Sequence, residues 1–206
     1  ASAVSEITWF ETARMDRPWD AEWIAPDLDP EVHPVLYRDF SIQKPVRQAR
    51  LYASGLGLYE VMLDETKLGE EYLQPGFTDY DSWIQYQTYD MGNIAPGRHR
   101  LAFELGNGWY KGRFGLGQKA GVYGDRFAAI AELRILYIDG SEEVIGTDSS
   151  WRAVRSRILE SGIYDGEVFD VTASPGQEFN VLPAGIGRER LQARLSPPIT
   201  VHERLR

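Results

Sequence analysis

The residues best suited to bind a ligand lie in one short segment, residues 106–113, which runs Gly-Asn-Gly-Trp-Tyr-Lys-Gly-Arg. The segment follows directly on an alternating apolar run, so we expect a loop at the end of a β-strand. Trp109 and Tyr110 can cover the apolar face of a pyranose, while Asn107 and Arg113 can hydrogen-bond its hydroxyls. The structural alternative is that Trp109 fills the core and Asn107 adopts a left-handed turn conformation. The sequence alone leaves both interpretations open.

Two further segments combine carboxylates with turn residues. In residues 164–167, Asp165 and Glu167 flank a glycine. They could coordinate Ca²⁺ or accept hydrogen bonds from sugar hydroxyls, since a hard cation binds several oxygen ligands. Residues 76–81 contain two aspartates that offer similar oxygens. The competing interpretation of both segments is a simple turn, in which the carboxylates cap the backbone.

No established catalytic motif accompanies these loops. Glycoside hydrolysis needs two carboxylates flanking the bond, and with 31 acidic residues the composition does not exclude such a pair. The acidic pairs at residues 70–71 and 142–143 lie in or beside turns, which is typical of a solvated surface. The sequence has no Gly-x-Ser-x-Gly elbow, phosphate-binding loop, dinucleotide fingerprint or zinc-type His/Glu motif. We therefore expect binding or structural residues rather than an active site.

The charge balance excludes one class of partner. The 206 residues carry 31 Asp and Glu against 22 Lys and Arg, a net charge of −9. A surface this negative repels the phosphate backbone, and no Lys/Arg cluster makes an exception. We expect no nucleic-acid partner, whereas a neutral sugar would be indifferent to this charge.

Cysteine, histidine and hydropathy limit the remaining chemistry. The chain has no cysteine, which excludes disulfides and suits either the cytoplasm or secretion by a bacterium. Its three histidines are widely separated and lack metal-ligand spacing. No apolar run approaches membrane-spanning length. We expect a soluble protein with no membrane partner, whose signal peptide or anchor, if any, has been removed or lies elsewhere.

Alternating apolar residues dominate the chain and predict half-buried β-strands. Residues 101–105 and 133–137 show the pattern clearly, and Asp139-Gly140 after the second run predicts a two-residue hairpin loop. Further strand-like runs lie at residues 36–42, 49–53, 59–63, 84–89, 167–171 and 199–202. Many short strands separated by Gly and Pro predict an all-β, jelly-roll-like antiparallel β-sandwich.

Helices and chain ends give weaker signals. Residues 19–23 and 185–192 are the best candidates for short helices. Residues 5–12 have the pattern of a closing strand, and residues 197–201 form a strand pattern with no local partner. We expect a chain excised from a longer protein.

Seven short segments follow one another in a specific order and spacing. They are residues 19–24 (Trp-Asp-Ala-Glu-Trp-Ile), 49–57, 75–80, 86–90, 105–110 (Leu-Gly-Asn-Gly-Trp-Tyr), 150–152 and 163–167. Together they resemble the N-terminal domain of bacterial α-L-rhamnosidases of glycoside hydrolase family 78. Each segment is unremarkable alone, but their joint order is specific.

The resemblance implies a galactose-binding-like sandwich and a division of the chain. Residues 1–18 would be the closing strand of a preceding immunoglobulin-like domain plus a linker. Residues 19–196 would be the rhamnosidase N-terminal β-sandwich domain, and residues 197–206 the entry to the next β domain. In this family the catalytic residues lie on a helical barrel further along the chain, so the resemblance implies no catalytic residue here. One departure is the segment 64–67, Asp-Glu-Thr-Lys, where family members place a tight Asn-Gly turn; we expect it to alter that hairpin rather than the fold.

The resemblance also implies a site. Related modules in some family members bind L-rhamnose with a calcium ion through the loop that matches Asn107–Trp109. The expected ligands of rhamnose are Asn107, Trp109, Tyr110 and Arg113, and those of calcium are Asn107, Asp165 and Glu167. Gly106 is a departure, because it offers no side-chain oxygen beside Asn107.

Three hypotheses follow. The chain is a carbohydrate-binding module of the parent enzyme, with a rhamnose-containing saccharide and the remaining domains as its partners. Alternatively, it is a structural domain that supports the catalytic barrel or forms a dimer interface, since one fold hosts many roles. The third hypothesis, an autonomous hydrolase acting on rhamnosides, requires a competent carboxylate pair in a cleft.

Overall fold

The computed structural model describes residues 12, 14, 15 and 17–203, and these form a β-sandwich with one short helix. The first eight strands are β1 (Ile24–Pro26), β2 (Pro34–Ile42), β3 (Val46–Leu56), β4 (Leu58–Leu63), β5 (Thr66–Lys67), β6 (Glu71–Tyr72), β7 (Ile84–Gly92) and β8 (Gly97–Gly106). Helix α1 (Gly108–Lys111) follows. The later strands are β9 (Ala128–Tyr137), β10 (Glu142–Gly146), β11 (Arg152–Arg155), β12 (Ile158–Gly162), β13 (Gly166–Phe169), β14 (Phe179–Pro183), β15 (Leu191–Ala193) and β16 (Ile199–Thr200).

The sandwich is one continuous sheet folded into two layers. The first layer has the order β15-β7-β3-β9, with β10 also paired to β9; the second has the order β11-β2-β8-β4-β5. Strand β1 pairs with β9 and with β14, and β14 pairs with β11, so these two strands join the layers. Two small sheets, β12–β13 and β6–β16, lie outside this path.

The main core lies between the layers and explains the alternating pattern. Leu101, Phe103 and Leu105 of β8 are fully buried, and Leu133 and Ile135 of β9 face them from the other layer. Side chains alternate between the two faces of a strand, so the residues between these point away from the core. The predicted all-β sandwich is confirmed.

A second cluster covers the outer face of the β7–β3–β9 layer. Ala128 and Ile130 of β9, which point away from the main core, are buried against Trp23, Tyr80 and Ile84. For this reason the first part of β9, residues 128–131, is apolar on both faces, as a stretch covered on both sides must be.

The same outer face holds a buried ion pair. Glu132 of β9 is fully buried and accepts hydrogen bonds from the Arg14 guanidinium and from the backbone N–H groups of Asp20 and Ala21, at 2.7 and 3.2 Å. A buried carboxylate is tolerated only when it is paired and hydrogen-bonded. These contacts hold the segment before β1 against the sheet.

Two turns differ from the sequence expectations in informative ways. Between β9 and β10, the Tyr137 N–H donates to the Ser141 carbonyl, so three residues, not two, form the loop, and Gly140 takes φ 84°. Between β4 and β5, Asp64 and Glu65 both have positive φ, 49° and 66°. This is the backbone that a two-residue turn between twisted strands requires, so the hairpin forms without an Asn-Gly pair.

Several other predictions were wrong or fall outside the described residues. The predicted helices at 19–23 and 185–192 are wrong, since both segments are extended or turn structure packed on the outer face. Strand β15 pairs with β7 in parallel, against the expectation of a purely antiparallel sheet. The strand predicted at 5–12 lies almost wholly outside the described residues, and the domain boundaries and jelly-roll topology remain predictions.

Candidate functional site

The segment after β8 turns sharply because glycines allow two chain segments to meet. Gly108 has φ 51°, and a Cβ on it would lie 2.8 Å from Leu58 atoms. Gly57 has φ 105°, and a Cβ there would lie 2.2 Å from the Gly106 carbonyl oxygen. Only glycine fits such positions. Asn107 itself is right-handed, with φ −59° and ψ −44°, so the left-handed conformation considered for it belongs to Gly108.

The polar groups of Asn107 bond to neighbouring elements. Its backbone N–H donates to Ser161 Oγ at 3.0 Å, and its side-chain amide donates to the Ser161 carbonyl at 2.9 Å. Its Oδ1 accepts from Lys111 Nζ at 3.2 Å. Lys111 is buried and forms an ion pair with Glu31 at 3.3 Å. Asn107 therefore ties α1 to β12.

An ion pair joins the first predicted loop to the second. Both carboxylate oxygens of Asp165 accept hydrogen bonds from the Arg113 guanidinium, one of them at 2.8 Å. The hydrogen bond from Arg113 holds the pKa of the Asp165 carboxyl below its usual value. The Tyr164 hydroxyl also accepts from the Gly115 N–H at 3.2 Å.

Aromatic contacts join the first loop to the third. The ring centroid of Trp109 lies 6.0 Å from that of Phe77, and the Tyr110 centroid lies 5.2 Å from that of Tyr80. Trp109 and Tyr110 are half-buried against the second core cluster, whereas Phe77 is 52% exposed. Residues 76–81, 106–113 and 164–167 thus meet at one end of the sandwich, and we call them the three-loop cluster.

The oxygens expected to bind calcium do not form a calcium site in this arrangement. Asn107 Oδ1 faces the Lys111 cation, and both Asp165 oxygens face the Arg113 cation. Glu167 lies near two other carboxylates, Glu104 and Glu60, whose charges act on it. Over the described part of the chain, no three His, Cys, Asp or Glu residues are grouped to hold a metal ion. Because cations already occupy these oxygens, the residues present do not fit Ca²⁺.

A groove of about 570 Å³ lies next to the three-loop cluster. Strands β4 and β8 form its floor and the β12–β13 hairpin forms one wall, so we call it the hairpin groove. Its apolar lining includes Leu58, Tyr72, Leu73, Ile158, Ile163 and Phe169, and its polar lining includes Glu60, Glu104, Ser161 and Glu167.

Three carboxylates shape the electrostatics of the hairpin groove. Glu60 and Glu104 are direct cross-strand partners, so their side chains share one face of the sheet. Burial, followed by the charges of Glu104 and Glu60, raises the pKa of the Glu167 carboxyl. Glu60 accepts from Lys67 Nζ at 2.5 Å, and Glu104 from Ser156 Oγ at 2.5 Å. Their remaining lone pairs can accept hydrogen bonds from hydroxyls.

Most residues that line the hairpin groove were not predicted from the sequence. Glu167 was the one groove carboxylate singled out, whereas Glu60, Glu104, Tyr72 and Phe169 were not. Glu104 is the only groove carboxylate of the two β4–β8 partners that the sequence hints at, because it is the charged residue inside the otherwise apolar run 101–105. Its partner Glu60 has no local signal, since the β4–β8 register brings the two together.

Comparison with known proteins identifies the family. The model of the family described as the α-L-rhamnosidase N-terminal domain matches residues 44–203. The chain belongs to this family. An α-L-rhamnosidase of Streptomyces avermitilis is 36% identical over 174 residues, which cover 79% of the chain and 17% of that protein.

Solved structures agree with this assignment. The crystal structure of native α-L-rhamnosidase from Aspergillus terreus superposes with a TM-score of 0.81 at 31% identity, over 88% of the chain and 23% of that protein. The Streptomyces avermitilis α-L-rhamnosidase, in complex with L-rhamnose, gives a TM-score of 0.77 at 32% identity, over 84% of the chain and 18% of that protein.

The rhamnosidase N-terminal domain is therefore a small part of each relative. It spans less than a quarter of the length of these proteins. In the described residues, no helix is long and apolar enough to cross a membrane.

Proposed function

We propose that this rhamnosidase N-terminal domain is a non-catalytic carbohydrate-binding module that holds a rhamnose-containing saccharide in the hairpin groove. The observation that carries the proposal is the lining of the groove, where aromatic and aliphatic side chains face a set of carboxylates. Sugar sites commonly combine an apolar surface for the ring with a few polar groups for the hydroxyls.

The chemistry of a 6-deoxy sugar suits this lining. Tyr72 and Phe169 are 44% and 52% exposed at the groove. Lys67 Nζ lies over one face of the Tyr72 ring, 4.0 Å from its centroid, so a ligand would contact the other face of Tyr72 and the ring of Phe169. The methyl group and ring C–H groups of rhamnose would pack on these side chains. Glu60 and Glu167 would accept hydrogen bonds from its hydroxyls, and charge-assisted bonds are stronger than neutral ones. The Streptomyces avermitilis relative was solved with L-rhamnose, which supports rhamnose as the sugar to test first.

In this proposal the three-loop cluster supports the groove. Asn107 fixes Ser161, which lines the groove, and the Arg113–Asp165 pair fixes the turn of the β12–β13 hairpin. Trp109 and Tyr110 pack against the second core cluster. The roles predicted for these four residues as direct sugar ligands are replaced here by positioning roles.

Calorimetric titration of L-rhamnose into the purified domain tests the proposal. We expect weak binding, reduced about tenfold by Glu167→Gln, since about 1.4 kcal/mol of lost hydrogen bonding corresponds to tenfold in affinity. Glu142→Gln, the same change on β10 of the other layer, is the matched control and should leave binding unchanged. No heat of binding, or equal binding by the Glu167→Gln variant, contradicts the groove as the site.

The same titration with a chelator decides the calcium dependence that the family resemblance implies. Because cations face the Asn107 and Asp165 oxygens, we expect the affinity for rhamnose to be equal with and without chelator. Loss of binding on chelation would show that the loops rearrange around the metal ion.

A structural role is the second candidate. Its specific support is that Asn107 and Trp109 make internal contacts, while Val168 and Phe169 of the hairpin expose apolar surface. In that role the exposed side chains would contact the catalytic barrel or a second subunit. Phe169→Ala would then weaken assembly of the full-length enzyme while the isolated domain shows no affinity for rhamnose.

A further inference from the structure

A second cavity, of about 630 Å³, lies on the outer face of the β7–β3–β9 layer. It is formed by the segment before β1, by Tyr86 of β7, by Arg188 and by strand β15. It shares no lining residue with the hairpin groove. Three arginines line it, so we call it the arginine pocket.

One of the three arginines belongs to the fold. Arg14 is buried, its guanidinium pairs with Glu132, and its carbon Cζ lies 4.1 Å from the centroid of the Trp19 ring. Its charge is therefore already compensated. It fixes Trp19 as part of the pocket wall.

The other two arginines are held differently, and Arg188 also borders a neighbouring cavity whose lining includes Asp20, Glu22, Asp148 and Glu189. Arg188 Nη1 donates to the carbonyl oxygens of Trp19 and Ala21, at 2.9 and 2.8 Å. Two neutral carbonyls hold this guanidinium in place without neutralising it. Among the residues that the structure describes, neither Arg188 nor Arg17 forms an ion pair, and no carboxylate lines the pocket.

An apolar surface lies beside these cations. The Trp19 ring meets the Tyr86 ring edge-on at 5.5 Å, and Leu191 of β15 adds an aliphatic wall. With a net charge of −9, the protein as a whole repels a free anion. A ligand that binds here would need to combine a negative group with apolar contact.

We propose that the arginine pocket binds a sugar that carries a carboxylate, that is, a uronate. Both N–H groups of Arg188 Nη1 are used by the two carbonyls, so the Nε–H and Nη2–H edge of the planar guanidinium is the one that would pair with a carboxylate. Arg17 adds a second positive charge at the rim, and the C–H face of the sugar packs on Trp19 and Leu191. This inference is independent of rhamnose binding in the hairpin groove, because the two sites share no residue.

The test compares glucuronate with glucose, which differ in the charged group alone, by calorimetry or by NMR shift perturbation on the whole 206-residue chain. We expect glucuronate to bind and glucose not to bind. Arg188→Gln should weaken glucuronate about tenfold, the equivalent of about 1.4 kcal/mol. Arg98→Gln, the same change at an exposed position near the start of β8, is the matched control and should have no effect. The affinity should also fall as salt is added, because exposed charges are screened.

Three results would overturn the inference. They are no glucuronate binding, equal binding by the Arg188→Gln variant, and equally tight binding of inorganic sulfate at the same residues, which would show a general anion site. Rhamnose binding in the Arg188→Gln variant should match the unmodified chain, so failure here is distinguishable from failure of the hairpin groove proposal.

Discussion

At the scale of single residues, His33 is a buried group whose protonation the fold opposes. It is 3% exposed, and its Nε2 lies 2.8 Å from Ser161 Oγ. Burial, followed by the nearby Lys111 charge and opposed by Glu31, lowers the pKa of His33 to about 4. A neutral Nε2 can accept the hydroxyl hydrogen of Ser161, which an imidazolium cannot. Burial therefore keeps the imidazole at this contact between β12 and the segment before β2 uncharged near neutral pH.

This lowered pKa predicts a loss of stability in acid. The unfolded chain binds a proton near pH 6.5, whereas folded His33 binds one near pH 4. The free energy of unfolding should fall between these values, by about 2 kcal/mol at pH 4.5 relative to pH 7 from this group. Urea unfolding of His33→Gln should show a smaller drop over the same interval.

His99→Gln is the control for that measurement, because the fold shifts the pKa of His99 in the opposite direction. Burial lowers the pKa of His99, but hydrogen bonds to Asp64 and to the Ala95 carbonyl outweigh burial and raise it. Its contribution is present below pH 6.5 and is lost as the pH rises through the folded pKa. An unchanged acid slope in the His33→Gln variant would contradict the role assigned to His33.

At the scale of elements, the β4–β5 turn contains a strained residue, Glu65, whose replacement should stabilise the protein. Glu65 has φ 66°, a left-handed conformation that costs a residue with a Cβ about 1 kcal/mol or more. Glu65→Gly should therefore raise the free energy of unfolding by about 0.5 kcal/mol after the extra entropy of glycine in the unfolded chain. Thermal or urea unfolding measures the gain.

Glu65→Ala is the matched control, since alanine keeps the Cβ at the same φ. It should give no comparable gain. A Glu65→Gly variant no more stable than Glu65→Ala would show that the turn is unstrained.

The elements also show how far the sequence predicts the fold. Strands such as β8 and β9 were predictable, because burial of one face imposes an alternating pattern. Helix α1 was not, because four residues beginning with a glycine carry no helical period. The Trp19–Trp23 spacing imitated a helix, but both side chains pack on the outer face of a sheet from an extended segment. A local sequence pattern does not distinguish a helix from an extended segment when either one can bury the same two side chains.

At the scale of the whole molecule, strand order and register determine which residues meet at the candidate sites. The three loops of the cluster are far apart in the chain, and their convergence depends on strand order. Sequence reasoning found the loops from their residue types but not their contacts. It missed Glu60 and Glu104 because cross-strand register, not local sequence, places them together. The arginine pocket was missed for the same reason, since it joins residues from both ends of the chain.

The hairpin groove raises the question of hydrolysis, because a glycosidase uses one protonated and one ionised carboxylate. The raised pKa of Glu167 beside Glu60 and Glu104 resembles such a set. However, Glu60 and Glu167 are exposed, and Glu60 is paired with Lys67. A general acid depends on an environment that keeps it protonated near neutral pH, and an exposed groove provides little of this. We expect the purified chain to leave an aryl α-L-rhamnoside intact at pH 5 to 7, roughly the range in which such an acid would work.

The assay needs a variant pair to be decisive. Product release should stay at the buffer rate for the unmodified chain, for Glu167→Gln and for the Glu142→Gln control alike. Turnover that survives Glu142→Gln and disappears with Glu167→Gln would assign catalysis to the hairpin groove, and would contradict a non-catalytic module. Turnover that survives both changes would show that hydrolysis does not depend on Glu167. The groove is therefore tested as a binding site and as a catalytic site by the same two variants.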